Sequence, residues 1–283
     1  MTILPTRIRG SAFELIYLLL GAIDFMATMW TYRGLNCLIV SRGAREASAV
    51  CLGTRSHVRQ VRESKFQMPL QNRVTPESVI EAVSSRGMFM GNRGCLHGSE
   101  RNLLRQFCSE KRWIICETEF RGRRRPLMEP GKYTELFFLD EATALAAGHR
   151  PCGECRRDRF RDFKIAWTRG NSELGLNGKC GITEVDKHLH FDRLTNERTK
   201  RTHQCRLGEL PDGVFVRYSA NESPHLWFGH KLFPWSHEGY RAPIRCGASE
   251  SVVVLTPAST VNAMREGYSP VVSPCVASFL SDE

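Results

Sequence analysis

Cys152 and Cys155 are the residues best placed to do chemistry together. They follow Pro151, which suits the first turn of a helix because its missing N–H has no partner to lose there. At a spacing of i, i+3, both sulfurs point to one side of that helix N-terminus. Free amide N–H groups and the positive end of the helix dipole favour thiolates in such a place. Two thiolates so arranged form half of a tetrahedral zinc site. The same C-x-x-C spacing also serves buried or redox-active thiols, although no βαβ pattern of the thioredoxin kind surrounds it.

Candidates to complete a metal site are Cys116 first and His190 second, with His203 and His97 behind them. Cys116 lies in Trp113–Phe120 (WIICETEF), whose alternation predicts a strand. Ile114, Cys116, Thr118 and Phe120 would share one face, and Trp113, Ile115, Glu117 and Glu119 the other. For Cys116 the competing reading is a small buried hydrophobe. His188 and His190 fall on different faces of the helix predicted over Glu184–Leu194, so they would not chelate one ion together. A lone histidine is more often hydrogen-bonded or exposed than a ligand.

The cysteine pair needs neighbours that hold it. Thr134–Leu139 is an apolar run fit for a buried strand. Asp140 can cap a helix over Glu141–Ala147, and Gly148 suits a left-handed stop. The second helix, from Pro151, has an apolar stripe of Phe160, Phe163 and Trp167.

The run LFFLDEATALAAGHRPCGECR resembles the end of the zinc-binding domain of the Ada family, which repairs DNA methylphosphotriesters. That family shares an FF or FY strand end, an A-L-A-A-G helix and R-P-C-x-x-C-R. Cys152 and Cys155 match its second cysteine pair position by position. Its first pair, C-x-x-x-C on an earlier strand, is met here only by Cys116, with Phe120 in the second place. The resemblance implies bound Zn2+ and DNA as a partner, with Cys116 as the only available methyl acceptor if Ada-type transfer occurs. From Met68 to Cys275 the chain is also similar to a group of bacterial proteins sharing M-P-L-Q-N-R-V-T-P, G-N-R-G, E-F-R-G-R-R-R and the A-A-G-H-R-P-C run. That likeness carries no activity with it.

The net charge of +10 over 283 residues is compatible with a nucleic-acid partner. Residues 1–67 hold nine Lys/Arg against four Asp/Glu, a net +5, so the remaining chain carries only the other +5. Arg123, Arg124, Arg125, Arg150 and Arg156 are the candidate phosphate contacts. An ordinary solvated face with local ion pairs is the alternative, because acidic residues are interspersed. Gly91-Asn92-Arg93-Gly94 reads first as a turn, and it has no P-loop or dinucleotide fingerprint. Eleven cysteines without even spacing point to a reducing, cytoplasmic setting rather than a disulfide framework.

The remaining chain yields an α+β expectation. Thr168–Lys179 reads as a linker. From Leu210, LPDGVFVRY and PHLWFGHKLFPW predict strands, with Trp227, Phe228, Phe233 and Trp235 as core before they are a base-stacking surface. SVVVL predicts a buried strand, and Thr256, Pro257 and Gly267 would cap, begin and end a helix. The expected organisation is therefore 1–67 as a poorly ordered or mis-assigned extension, 68–170 as an Ada-like metal-binding domain, 171–206 as a linker with a helix, and 207–283 as a β-rich module.

A zinc-stabilised, DNA-associated protein is the leading functional reading. Ada-type methyl transfer to Cys116 is the alternative, and a zinc deaminase is weaker. P-C-x-x-C belongs to the deaminase signature, but the glutamates after Cys116 stand at +1 and +3 rather than +2. No G-x-S-x-G supports serine hydrolysis. Glu14 and Asp24 interrupt the apolar run Phe13–Trp30, so no membrane span is expected.

Residues 1–67 are expected to be dispensable, with the native product starting at Met68. Intact-mass measurement on protein from its own host checks this, and an ordered, protease-resistant Met1–Gln67 would refute it.

Overall fold

The computed structural model describes residues 26–32, 35–42, 46–51, 68–123, 126–176, 180–218 and 223–280. The chain divides into two compact units, Met1–Met68 and Pro69–Glu283. In the first, strands β1 (Met26–Tyr32), β2 (Leu35–Arg42) and β3 (Glu46–Cys51) form an antiparallel sheet in the order β1-β2-β3. Sequence periodicity predicted no regular element beyond Thr31 here. Of the apolar run Phe13–Trp30, only Met26–Trp30 falls within the described residues, in β1. Among the described residues no helix is long and apolar enough to cross a membrane.

The second unit is α+β. Its first part runs β4 (Gln71–Val74), β5 (Ile80–Ala82), β6 (Phe89–Asn92), β7 (Ile114–Glu117), β8 (Leu136–Phe138), α1 (Glu141–Ala146), β9 (Arg150–Pro151), α2 (Arg157–Gly170) and α3 (Ile182–Arg193). Then follow β10 (His203–Arg206), β11 (Val214–Arg217), β12 (His225–Phe228), β13 (Lys231–Ser236), β14 (Gly239–Tyr240), β15 (Ser251–Val254), α4 (Ala258–Arg265) and α5 (Cys275–Leu280). One six-stranded sheet has the order β5-β4-β8-β6-β7-β9, and the other β10-β15-β11-β12-β13-β14. The second is antiparallel throughout. The first is mixed, with β9 added to β7 in parallel so that Ile114 faces Arg150 and Ile115 faces Pro151. Gly91 permits close packing in this sheet, because a Cβ there would meet the Ile114 carbonyl oxygen at 2.1 Å.

Helix α1 joins the two sheets, and all six of its residues are buried. Its small side chains allow close approach from both sides. Ala144 and Leu145 belong to one apolar cluster with Ile115 and Phe138, whereas Ala142 and Ala146 pack in another with Phe215, Leu226 and Phe233. As expected, Asp140 caps α1, accepting from the Thr143 amide at 2.8 Å and its hydroxyl at 2.7 Å. Gly148 ends this segment at φ +86°, where a Cβ would press on Arg193. Trp227, Phe233 and Trp235 are buried, as the core reading expected.

Several local expectations are corrected. Pro151 is in a strand, because the edge of β7 recruits Arg150 and Pro151 before α2 begins. Gly91 and Asn92 belong to β6 instead of a turn, and the Arg93 side chain is buried. Thr256 does not cap α4; its hydroxyl accepts from the Phe215 amide at 2.9 Å. The expected boundaries at 170/171 and 206/207 both fall inside the second unit, whose apolar core runs from Val74 to Tyr268. Helix α2 extends to Gly170, into the expected linker.

The α1 N-terminus carries a dense polar network. The Glu141 carboxylate accepts from Arg156 at 3.0 Å, from Arg159 at 2.9 Å, from the Val271 amide at 2.9 Å and from the Tyr268 hydroxyl. Burial raises its pKa, but Arg156, Arg159 and these hydrogen bonds outweigh that and hold it below the ordinary glutamate value. The unfolded chain therefore binds the proton more readily, and this part of the stability is lost as pH falls below about 4.3. Glu141→Ala should cost about 3–5 kcal/mol, since it strands buried guanidinium groups. Urea unfolding between pH 3 and 7 checks both the loss and the flatter acid limb expected of the variant.

Candidate metal centre

Two chain segments bring the three sulfurs together. Cys116 projects from β7, and Cys152 and Cys155 occupy the turn between β9 and α2. The Cys152 amide donates to the Ile115 carbonyl at 2.8 Å, continuing the β7–β9 pairing by one residue. The chain then turns, and the Arg156 amide donates back to the Cys152 carbonyl at 3.2 Å. The pair thus precedes α2 instead of occupying its first turn. Local N–H donors nevertheless reach the sulfur: the Glu154 amide lies 3.4 Å from Cys152 Sγ.

The Sγ atoms of Cys116, Cys152 and Cys155 all lie within 4.8 Å of one another. Sulfurs around a tetrahedral zinc with Zn–S of about 2.3 Å stand about 3.8 Å apart, so contraction of about 1 Å or less would close the set on an ion. Among the described residues this is the one group of three or more Cys, His, Asp or Glu able to hold a metal. Cys116 and Cys152 are buried and Cys155 is partly open.

Crowding three thiols makes them unequal. Hydrogen bonds from Cys116 and Cys155 draw Cys152 far below the usual thiol range, against the effect of burial. Cys116 is pushed far up by its contacts with Cys152 and Cys155 and by burial. The group therefore favours one thiolate flanked by thiols. A bound cation would displace the remaining protons, so metal uptake should strengthen as pH rises.

Ion pairs fasten the residues next to the grouped cysteines. Arg156, after Cys155, has its Nε 3.0 Å from Glu117, after Cys116, and its Nη1 3.0 Å from Glu141. Its guanidinium also lies 4.2 Å from the Phe89 ring centroid. On the solvent side, Arg123 pairs with Glu154 at 2.6 Å. Sequence spacing could not reveal these partners, because each arginine meets a carboxylate far away in the chain.

The other expected site residues are distributed differently. His190 is outside the thiol group; its Nδ1 is 3.1 Å from an Arg193 Nη. His97 uses both ring nitrogens, with Thr134 at 2.6 Å and the Glu129 carbonyl at 3.1 Å. Arg150 and Arg156, expected to face phosphate, are buried instead. Arg150 is committed to Asp186 through two contacts of 2.8 Å, a closed pair that a purely exposed reading of basic residues misses. Arg124 and Arg125 lie outside the described residues. Arg123 is exposed beside the thiol group. Cys116 is only 8% exposed, which weighs against an incoming methyl donor reaching its sulfur.

No family model, curated protein or solved structure matches the chain.

His190→Ala is expected to leave bound metal unchanged, whereas Cys116→Ser should weaken it. Elemental analysis of the two purified variants beside the parent distinguishes these outcomes.

Proposed function

We propose that the protein binds one zinc ion through Cys116, Cys152 and Cys155, and that it works in association with nucleic acid. The approach of three sulfurs to within 4.8 Å carries the metal part. A thiolate set favours zinc, copper(I) or iron–sulfur chemistry over magnesium or calcium. The Ada-like run around Cys152 and Cys155 favours zinc among these. With three protein ligands, zinc keeps a fourth position for water or a solvent anion, on the side where Cys155 is partly open. The metal would tie β7 to the turn before α2, turning a long-range pairing into a cross-link.

The nucleic-acid part rests on the net charge of +10, the Ada-like segment and the exposed Arg123 next to the metal ligands. Buried Arg150 and Arg156 position the site and are not part of a phosphate-facing surface.

One zinc per chain is expected by elemental analysis and native mass spectrometry. Cys152→Ser should lose it and lower the melting temperature, because structural zinc contributes on the order of 10 kcal/mol in small zinc-finger peptides. Cys180→Ser, which removes a buried thiol outside the group, should retain the metal. Stoichiometric zinc in Cys152→Ser would refute the assignment.

Nucleic-acid affinity should fall steeply with salt. Replacing Arg123, Arg124 and Arg125 by Ala should reduce the slope of log K against log[salt] by about 0.7–0.9 for each phosphate contact removed. A titration series at several salt concentrations measures this, and an unchanged slope would place the contacts elsewhere.

A further inference from the structure

A cavity of about 500 Å³ opens beside α3, with none of Cys116, Cys152 and Cys155 in its lining. Phe107, Lys111, His190, Phe191 and Arg198 are among its lining residues, and no carboxylate is. Lys187 also borders it but pairs with Glu184 at 2.9 Å. Lys111 and Arg198 remain as exposed cations at its wall. Glu110 is turned aside, accepting from the Arg112 amide at 2.9 Å.

Behind the wall lies buried positive charge. Arg193 donates to the Gly148 carbonyl at 2.8 Å and to the Lys111 carbonyl, and touches His190. Its guanidinium is 4.0 Å from the Trp113 ring centroid, and that of Arg93 is 4.7 Å from the same ring. Arg93 is held by the Ser78 hydroxyl at 2.7 Å and carbonyl at 2.9 Å. Among the described residues neither arginine has a carboxylate within ion-pair distance, and the nearby Asp186 is taken by Arg150. Burial lowers both to about 9, which leaves them charged at neutral pH. Asp186 and Glu110 offset the Arg193 charge only from beyond ion-pair distance, so part of its field reaches His190 at the cavity wall. His190 registers that field: burial, then Arg193, Lys111 and Arg198, push it down to about 4.

The cavity also offers aromatic surface. Phe191 is 64% exposed, with Arg201 at 4.7 Å from its ring centroid. Phe107 stacks on Trp113 at 5.6 Å and 7°. An occupant should therefore combine negative charge with a planar face, and the volume falls in the range of small-ligand sites. A nucleotide has both properties, whereas a simple anion uses only the first.

We infer that this cavity binds a nucleotide unit, its phosphate held by Lys111 and Arg198 in front of buried Arg193 and its base stacked on Phe191. For a strand, as opposed to a free nucleotide, the inference rests on the nucleic-acid association proposed above. A nucleoside monophosphate and a single strand present the same chemistry to these residues.

The test uses the full chain loaded with zinc. Probes are inorganic phosphate, adenosine monophosphate and a fluorescein-labelled oligothymidine strand of about 12 nucleotides, a length suited to one stacking groove. Lys111→Glu combined with Arg198→Glu should weaken the strand and the monophosphate at least roughly tenfold. Phe191→Ala should weaken them by roughly tenfold as well, while leaving inorganic phosphate unaffected. Unchanged melting temperature and zinc content in these variants would separate lost contacts from lost fold. Strand binding that survives both variants would overturn the cavity as the site and leave the nucleic-acid reading standing. Monophosphate binding that is lost in the variants, with no strand binding by the parent, would support the cavity and overturn the reading. Inorganic phosphate competing as well as the monophosphate would overturn the nucleotide assignment. Failure of the parent to bind either organic probe would overturn both.

Discussion

The Glu141 carboxylate is the constraint on which the second unit depends. It sits at the start of a wholly buried helix, where leaving it unpaired would be prohibitive. Arg156 and Arg159 bring α2 to it, while Tyr268 and the Val271 amide bring the segment after α4. Asp140, one residue earlier, takes the Tyr240 hydroxyl at 2.7 Å and the Ser273 amide at 2.9 Å. Two adjacent acids thus anchor elements from both sheets. Buried ion pairs of this kind need not add net stability over an apolar replacement, but once present they are costly to break singly. Arg156 extends the constraint to the sulfurs, since the same guanidinium that satisfies Glu141 also pairs with Glu117 beside Cys116.

Features set by neighbouring residues were legible in the sequence. Asp140 as a cap, Gly148 as a left-handed stop, α3 and the aromatic strands of the second sheet follow from local propensity and period. Cys116 stood first among the candidates to join Cys152 and Cys155, ahead of three histidines, with a buried hydrophobe as the competing reading. What local pattern could not supply was pairing at long range. Pro151 looks like a helix start until β7 is placed alongside it, and Thr256 looks like a cap until the Phe215 amide claims its hydroxyl. Arginine exposure failed for the same reason. Arg150 is a surface residue by type and an interior one by virtue of Asp186, 36 positions away. The charge that shapes the cavity beside α3 was likewise invisible, because Arg93 and Arg193 meet only around Trp113.

The two candidate sites use cations in opposite ways. At the thiol group, buried Arg156 lies between two carboxylates, while Arg123 shares an exposed, solvent-side pair with Glu154. The buried charge there is paired, guanidinium against carboxylate. Around Trp113 the guanidinium groups of Arg93 and Arg193 face carbonyls and aromatic rings instead of ion-paired carboxylates.

The parallel pairing of β7 with the two-residue β9 would also set an order of events for a bound ion. Cys152 and Cys155 are near neighbours in the chain and, if the group holds an ion, could meet it while little else is organised. Cys116 lies 36 positions before Cys152, beyond a loop that must close before the third sulfur arrives. Closing such a loop costs entropy that grows only logarithmically with its length, yet it must be met before the new contacts reward it. The ion would therefore pass from a loose two-sulfur grip to a three-sulfur one only when β7 docks. Changes in its coordination would make the metal a built-in clock for the assembly of the first sheet.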